Sequence, residues 1–242
     1  MEGILLSCLF LMSMSGALAA TDMEGNVFLF PKESATSYVI LTPKTTSPLS
    51  SFTVSFRYRK ELTRYCSLFS SATSKTFNDI LISKENTTHY KVFVGDESVT
   101  FRGTDDTPDW EHLCASWDSS TGVVTLWING KSLPRKTMKK GYSVNAQPII
   151  ILGQEQDSYG GGFDINQSFV GEITDVNMWD SVLSPSDVQL ALANDNWLCG
   201  TIIDWKSMYY ELKDDVIIQR KLEHSSYYQC DGTCRRQTES KC

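Results

Sequence analysis

Strict alternation of apolar and polar side chains marks the segment SFTVSFRYRK. Phe52, Val54, Phe56 and Tyr58 fall on one side, and Thr53, Ser55, Arg57 and Arg59 on the other. A period of two belongs to a strand with one buried face, so a half-buried strand is predicted there, one side in the core and the other out of it. Shorter apolar runs, NVFLFP, SYVIL, SLFSS, DILIS, HYKVFVG, PIIIL, FVGEI and DVIIQ, recur along the chain and predict further strands. In VVTLWINGKSL, Asn129 and Gly130 directly follow a β-rich run. Both residues tolerate positive φ angles, so a tight hairpin is predicted at that pair. Helical signals are convincing at one place, SPSDVQLALAN, with Ser184 as the cap, Pro185 in the first turn and Asp187 at the positive end of the helix dipole. Many strands with one short helix predict an all-β fold, a two-sheet jelly-roll (lectin-like) sandwich.

The first 19 residues, MEGILLSCLFLMSMSGALA, form an apolar stretch closed by small residues at Ala17-Leu18-Ala19 and read as a secretory signal cut before Ala20, although the stretch has no positive charge ahead of it. It falls short of the ~20 apolar residues of a membrane span, and no later segment is long or apolar enough for one. The expectation is therefore a secreted, extracellular chain of 223 residues that is not an integral membrane protein, with residues 20–223 forming one domain and 224–242 a cysteine-containing tail. Losing Glu2 with the signal moves the formal net charge from −7 to −6, a mild acidity that argues against nucleic-acid specificity. Cys8 leaves as well. Six cysteines, Cys66, Cys114, Cys199, Cys230, Cys234 and Cys242, remain for an oxidising compartment, where disulfides within or between subunits are expected, although sequence leaves their pairing open.

Between the runs PIIIL and FVGEI lies an oxygen-rich loop. Gln154, Glu155, Gln156, Asp157, Asp164, Asn166 and Gln167 crowd around three consecutive glycines, Gly160 to Gly162. Hard cations such as Ca²⁺ take about six to eight oxygen ligands from carboxylates, amide carbonyls and backbone carbonyls, and this loop offers all three kinds. It contains no histidine or cysteine, which argues against zinc and copper. Standing alone, the same residues would equally suit a solvated polar turn.

The segment EHLCASW carries His112, Cys114, Ser116 and Trp117 at alternate or adjacent positions and resembles the signature of the pentraxins. The resemblance runs from TDMEGNVFLFPKES through LWINGK and KKGYSV to VGEITDVNMWDSVLSP and IIDW. His112, Cys114 and Ser116 share one strand face and read as scaffold rather than as catalytic groups. The resemblance implies two calcium ions per subunit, side by side. Glu155, the backbone carbonyl of Gln156, Asp157 and Asn78 would hold the first ion. Glu155 and Asp157 would bridge to the second, completed by Asp164 and Gln167. Three carboxylates leave two divalent cations with residual positive charge, which would capture a phosphate, carboxylate or sulfate oxygen. The resemblance also implies an apolar ligand wall at Leu81 and Phe93, which periodicity alone would assign to core, and it places Ser83 where an aromatic residue is found in the family. It implies a homopentamer or larger cyclic homo-oligomer, an acute-phase role in innate immunity, and binding of phosphocholine, phosphoethanolamine or anionic polysaccharides on microbial or dying-cell surfaces, with complement as a further partner.

The chain departs from the family pattern at several places. Phe77 precedes Asn78 where the pattern has an aspartate, which predicts a weakened first calcium site; Asp79 would point the other way by alternation. The family's usual bridge joins the signature cysteine, here Cys114, to a position occupied by Ser55, so Cys66 is the expected substitute from a neighbouring strand. Asn86-Thr87-Thr88 is a glycosylation sequon in an apparent turn, whereas a glycan on Asn166 would crowd Gln167. Arg135, Lys136, Lys139 and Lys140 form a basic run that suits either a polyanion or a solvated edge strand. No enzyme is expected. A retaining glycoside hydrolase needs a second carboxylate about 5 Å from the first, and the residues after Glu155 and Asp157 supply none. A structural or interaction protein that lost its calcium site is the alternative.

Overall fold

The computed structural model describes residues 20–104, 109–194 and 197–222. The predicted signal at 1–19 and the tail at 224–242, with Cys230, Cys234 and Cys242, lie outside these residues. Strands are numbered in chain order. Among the described residues they form two antiparallel sheets that face each other across one apolar core.

One sheet runs in the order β10 (Lys131–Ser132), β9 (Val123–Ile128), β8 (Glu111–Asp118), β3 (Ser51–Arg59), β13 (Gly171–Trp179), β1 (Asn26–Phe30) and β15 (Ile217–Arg220), with β11 (Lys136–Thr137) also pairing β9. The other runs β14 (Tyr209–Lys213), β2 (Tyr38–Thr42), β12 (Ile149–Leu152), β4 (Cys66–Ala72), β5 (Ile80–Lys84), β6 (His89–Val94) and β7 (Glu97–Arg102). Alternation decides which residues meet between them: Phe52, Val54 and Phe56 of β3 and Leu113, Ala115 and Trp117 of β8 all join the central cluster. The predicted hairpin is present, with Asn129 at φ +49° and Gly130 at +74° between β9 and β10. The helix α1 (Pro185–Ala193) carries the predicted cap, and Ser184 and Asp187 form a reciprocal capping box. Lys136 falls in a short exposed edge strand, the plainer of the two readings of the basic run.

Two expectations need correction. The polar side of β3 lies outside the core, but it is not solvated: Thr53 and Ser55 are buried. The segment leading into α1 lies over that side, with Thr53 Oγ1 donating to Ser181 O at 2.7 Å, and Arg57 donates to Leu192 O on the helix. Gln189 Nε2 donates to Gly130 O at 2.8 Å, so the helix also reaches the β9–β10 hairpin. Cys66, in turn, is no neighbour of Cys114. Cys66 opens β4 in one sheet, and Cys114 lies in β8 of the other, directly opposite Ser55. Cys114 is a buried free thiol, pushed up to about 12 by burial. The substitute bridge fails because the chain crosses to the opposite sheet between β3 and β4.

Composition gave no sign of a polar knot between the sheets. Lys84 is fully buried, with Nζ 3.6 Å from Glu111 Oε1, and Tyr58 and Tyr90 both donate to the same carboxylate, Tyr90 at 2.5 Å. A buried charge is tolerated only when paired and hydrogen-bonded, which this cluster achieves by drawing one residue from each of β5, β8, β3 and β6.

Candidate functional site

The oxygen-rich loop emerges from β12 on the outer face of the seven-stranded sheet. Its first residues are anchored. Gln154 Nε2 donates to Ser34 O at 2.6 Å, and Gln154 O accepts from Ser67 Oγ at 3.0 Å. The Gln156 side chain is consumed by scaffold: Nε2 donates to Ser70 O at 3.1 Å and Ile149 O at 3.0 Å, and Oε1 accepts from Gly160 N at 3.0 Å. That leaves its backbone carbonyl for the ligand role expected of it. Ser158 and Gly161 close a tight turn by exchanging hydrogen bonds of 3.1 and 3.0 Å, with Gly160 and Gly162 at φ +76° and +75°. An L side chain rarely adopts that conformation, which explains the glycines there. The chain then returns through a 3-10 turn, Ile165–Gln167, capped by Asp164 Oδ1, which accepts from Asn166 N at 2.9 Å.

Two residues that the sequence did not single out shape this loop. Arg64 Nη1 donates to Ser168 O at 2.8 Å and Asn166 O at 3.1 Å, pinning the 3-10 turn from the β3–β4 connection. Tyr65 donates its hydroxyl to Glu155 Oε2. Burial, then the Glu155 charge, holds the Tyr65 phenol well above its ordinary range. Both lie in an irregular connection with no periodic or motif signal.

The carboxylates are electrostatically uncomfortable. Glu155 is buried, and burial raises its pKa against the lowering effect of Tyr65, with Asp157 adding to the rise and Lys91 opposing it. Asp157 is raised by burial and by the charge of Asp164. A cation among these three groups would relieve both causes. Among the described residues no three side chains of His, Cys, Asp or Glu converge as a metal cluster, so any cation site must draw on amide and backbone oxygens too. Those oxygens are present. The buried side-chain oxygens without a hydrogen-bond partner among the described residues are Asn78 Oδ1, Gln154 Oε1 and Gln167 Oε1, and two of the three belong to the predicted calcium set. An orphaned buried carbonyl costs about 1–3 kcal/mol unless something fills it, and a hard cation is the partner these two would accept. The residues present fit calcium.

The remaining members fall as follows. Asn78 sits just ahead of β5, its backbone N donating to Asp96 Oδ1 at 3.1 Å, and Phe77 beside it is 42% exposed. Asp79 is fully buried and accepts from Tyr142 Oη at 2.7 Å and Asn145 N at 2.8 Å, so it is taken up by scaffold and does not replace a carboxylate at position 77. Leu81 and Phe93 oppose each other in the β5–β6 register on the outer face, beside the central cluster and not within it, and full burial keeps the plain core reading for Leu81. Leu81 is fully buried, whereas Phe93 lines an open pocket of about 340 Å³ with Tyr65, Glu85, Lys91, Glu155 and Gln167. Asn86 is exposed in the β5–β6 turn, its Oδ1 accepting from Thr88 N at 2.9 Å.

On the opposite face, His112 Nε2 pairs with Ser55 Oγ at 2.8 Å under the α1 segment. Burial first, and then Arg57, lowers its pKa to about 3. A histidine held neutral and enclosed in this way is scaffold, far from the loop chemistry.

A two-sheet sandwich with an oxygen-rich loop and an adjoining half-apolar pocket on one outer face, and a helix laid over the other, defines a lectin-like recognition domain. A family model described as the Pentaxin family matches residues 26–220, and the chain belongs to that family. It is 47% identical over 203 residues to the serum amyloid P-component of Bos taurus, covering 84% of this chain and 91% of that protein. It is 45% identical over 223 residues to the C-reactive protein of Xenopus laevis, covering 89% and 94%. Among solved structures, the native heptameric SAP-like pentraxin from Limulus polyphemus superposes with a TM-score of 0.73 at 25% identity, over 82% of this chain and 96% of that one.

Proposed function

We propose that the chain is a secreted, calcium-dependent pattern-recognition protein of innate immunity, a binding module rather than an enzyme. In this reading Asn78, Glu155, the Gln156 carbonyl, Asp157, Asp164 and Gln167 hold two calcium ions. Their excess positive charge captures a phosphate or other acidic oxygen of a head group or polysaccharide, and Phe93 flanks the organic part of the ligand. Several such sites on a cyclic oligomer engage a repetitive microbial or dying-cell surface by avidity, and the Asn86 sequon carries a glycan. The observation that carries the reading is the pair of orphaned oxygens on Asn78 and Gln167. These two residues come from different parts of the sequence, and both were expected as ligands.

The test is retention on phosphoethanolamine resin in calcium buffer and elution by chelator, for the wild type and for Glu155→Gln. The substitution weakens a ligand shared by both ions, so most retention should disappear. Equal retention of the variant would remove the shared-carboxylate arrangement. A second reading, a structural pentraxin with a lost calcium site, is favoured by one observation: Phe77 offers no carboxylate, and the adjacent Asp79 is already spent on Tyr142 and Asn145.

A further inference from the structure

The pocket beside the calcium loop contains a charge that the calcium reading does not use. Lys91 lies on β6 opposite Ser83 of β5, and its ammonium sits 4.9 Å from the centroid of the Phe93 ring. It is half-buried and lines the same cavity as Glu155 and Gln167. No ion pair among the described residues takes up this ammonium. We infer that Lys91 is a specificity-determining residue that turns this pocket toward ligands with two acidic groups, one taken by calcium and the second by its ammonium.

The inference rests on the calcium reading above and deepens it. An aromatic face in a binding pocket is where a ligand's quaternary or primary ammonium would settle by cation–π attraction. Here that face is already occupied by the protein's own cation. An incoming choline or ethanolamine group would have to displace Lys91 from the ring and then share the pocket with a like charge. An acidic group meets the opposite situation. It gains a charge-assisted hydrogen bond from a donor already held at the ring. Ser83 contributes by being small. It stands directly across the strand pair from Lys91, with its hydroxyl 3.4 Å from Glu85 Oε1. Glu85 supplies the one negative charge of this pocket that is not assigned to calcium, and it offsets Lys91 only in part, because the three loop carboxylates are outweighed by two divalent ions. The ligand class that fits is a phosphate or sulfate ester that also carries a carboxylate or a second ester, without a cationic tail.

Isothermal titration in calcium buffer with phosphoglycolate, ethyl phosphate and phosphocholine tests this. These probes differ in the group presented to Lys91: acidic, neutral and cationic. The wild type should bind phosphoglycolate roughly tenfold tighter than ethyl phosphate, the size of one favourable charged contact, and phosphocholine more weakly than either. In Lys91→Ser the phosphoglycolate preference should collapse toward one, Lys91→Glu should favour phosphocholine, and Lys91→Arg should retain the wild-type order. Phosphocholine binding as tightly as phosphoglycolate in the wild type, or a preference unaltered in Lys91→Ser, would overturn the inference while calcium-dependent ethyl phosphate binding left the calcium reading standing. Absence of calcium-dependent binding of all three probes would overturn both.

Discussion

In the calcium reading proposed above, Phe77 stands where an aspartate is expected, and the departure is chemical rather than steric. A phenyl ring offers no oxygen, and at 42% exposure it takes little part in packing that would explain its presence. Calcium affinity follows the number of charged ligands and the rigidity of the loop that presents them. Asn78 is held in place by Asp96, so a carboxylate at 77 would enter a loop that is already positioned. Phe77→Asp should therefore tighten calcium binding, by roughly tenfold, measured by titration calorimetry. Affinity unaltered or reduced would mean that position 77 does not face the ion. At this scale the oxygen-rich loop was legible from composition, whereas the choice of Glu155, Asp157, Asp164 and Gln167 within it came from the family resemblance. Tyr65 and Arg64 were legible from neither, because hydrogen bonds made across 90 and 104 residues of chain leave no local pattern.

Among the elements, the pairing of β3 with β8 sets a serine against the cysteine for which a bridge was expected. Ser55 and Cys114 stand directly opposite each other, which is the relation a cross-strand disulfide needs. The serine instead bonds His112, and the thiol is left protonated in a dry site. Ser55→Cys should close a bridge to Cys114 and raise stability by about 2–4 kcal/mol, less the lost His112 hydrogen bond of about 1 kcal/mol. Intact mass before and after reduction, with a denaturant melt, reads both effects; two free thiols in the oxidised variant would contradict the register. The strand alternation of β3 and the capping box of α1 were readable because each depends on neighbours in sequence. That Thr53 and Ser55 are buried under the α1 segment was not readable, since alternation reports which side is polar and is silent on what lies over it. The misassignment of Cys66 has the same origin: closeness in sequence to β3 does not reveal that the chain passes to the other sheet.

For the whole molecule, the two outer faces of the sandwich differ in what covers them. One outer face carries the helix and the His112 scaffold, the other the oxygen-rich loop and the Lys91 pocket. In a cyclic assembly related by rotation, all loops emerge on one side of the ring, and linking weak sites raises avidity by roughly 10² to 10⁴ without altering any one contact. The Limulus relative is heptameric. This chain is expected as a ring of about five subunits in light scattering, and a monomer in calcium buffer would remove the avidity argument. In the proposed function, everything at the binding face depends on calcium reaching the orphaned oxygens of Asn78 and Gln167. Calorimetric titration of the chelator-stripped protein with calcium tests this most directly. Two ions per subunit are predicted, the weaker one lost on Asn78→Ala and the other on Gln167→Ala. No heat of binding at millimolar calcium, or two unaltered sites in both variants, would contradict the account.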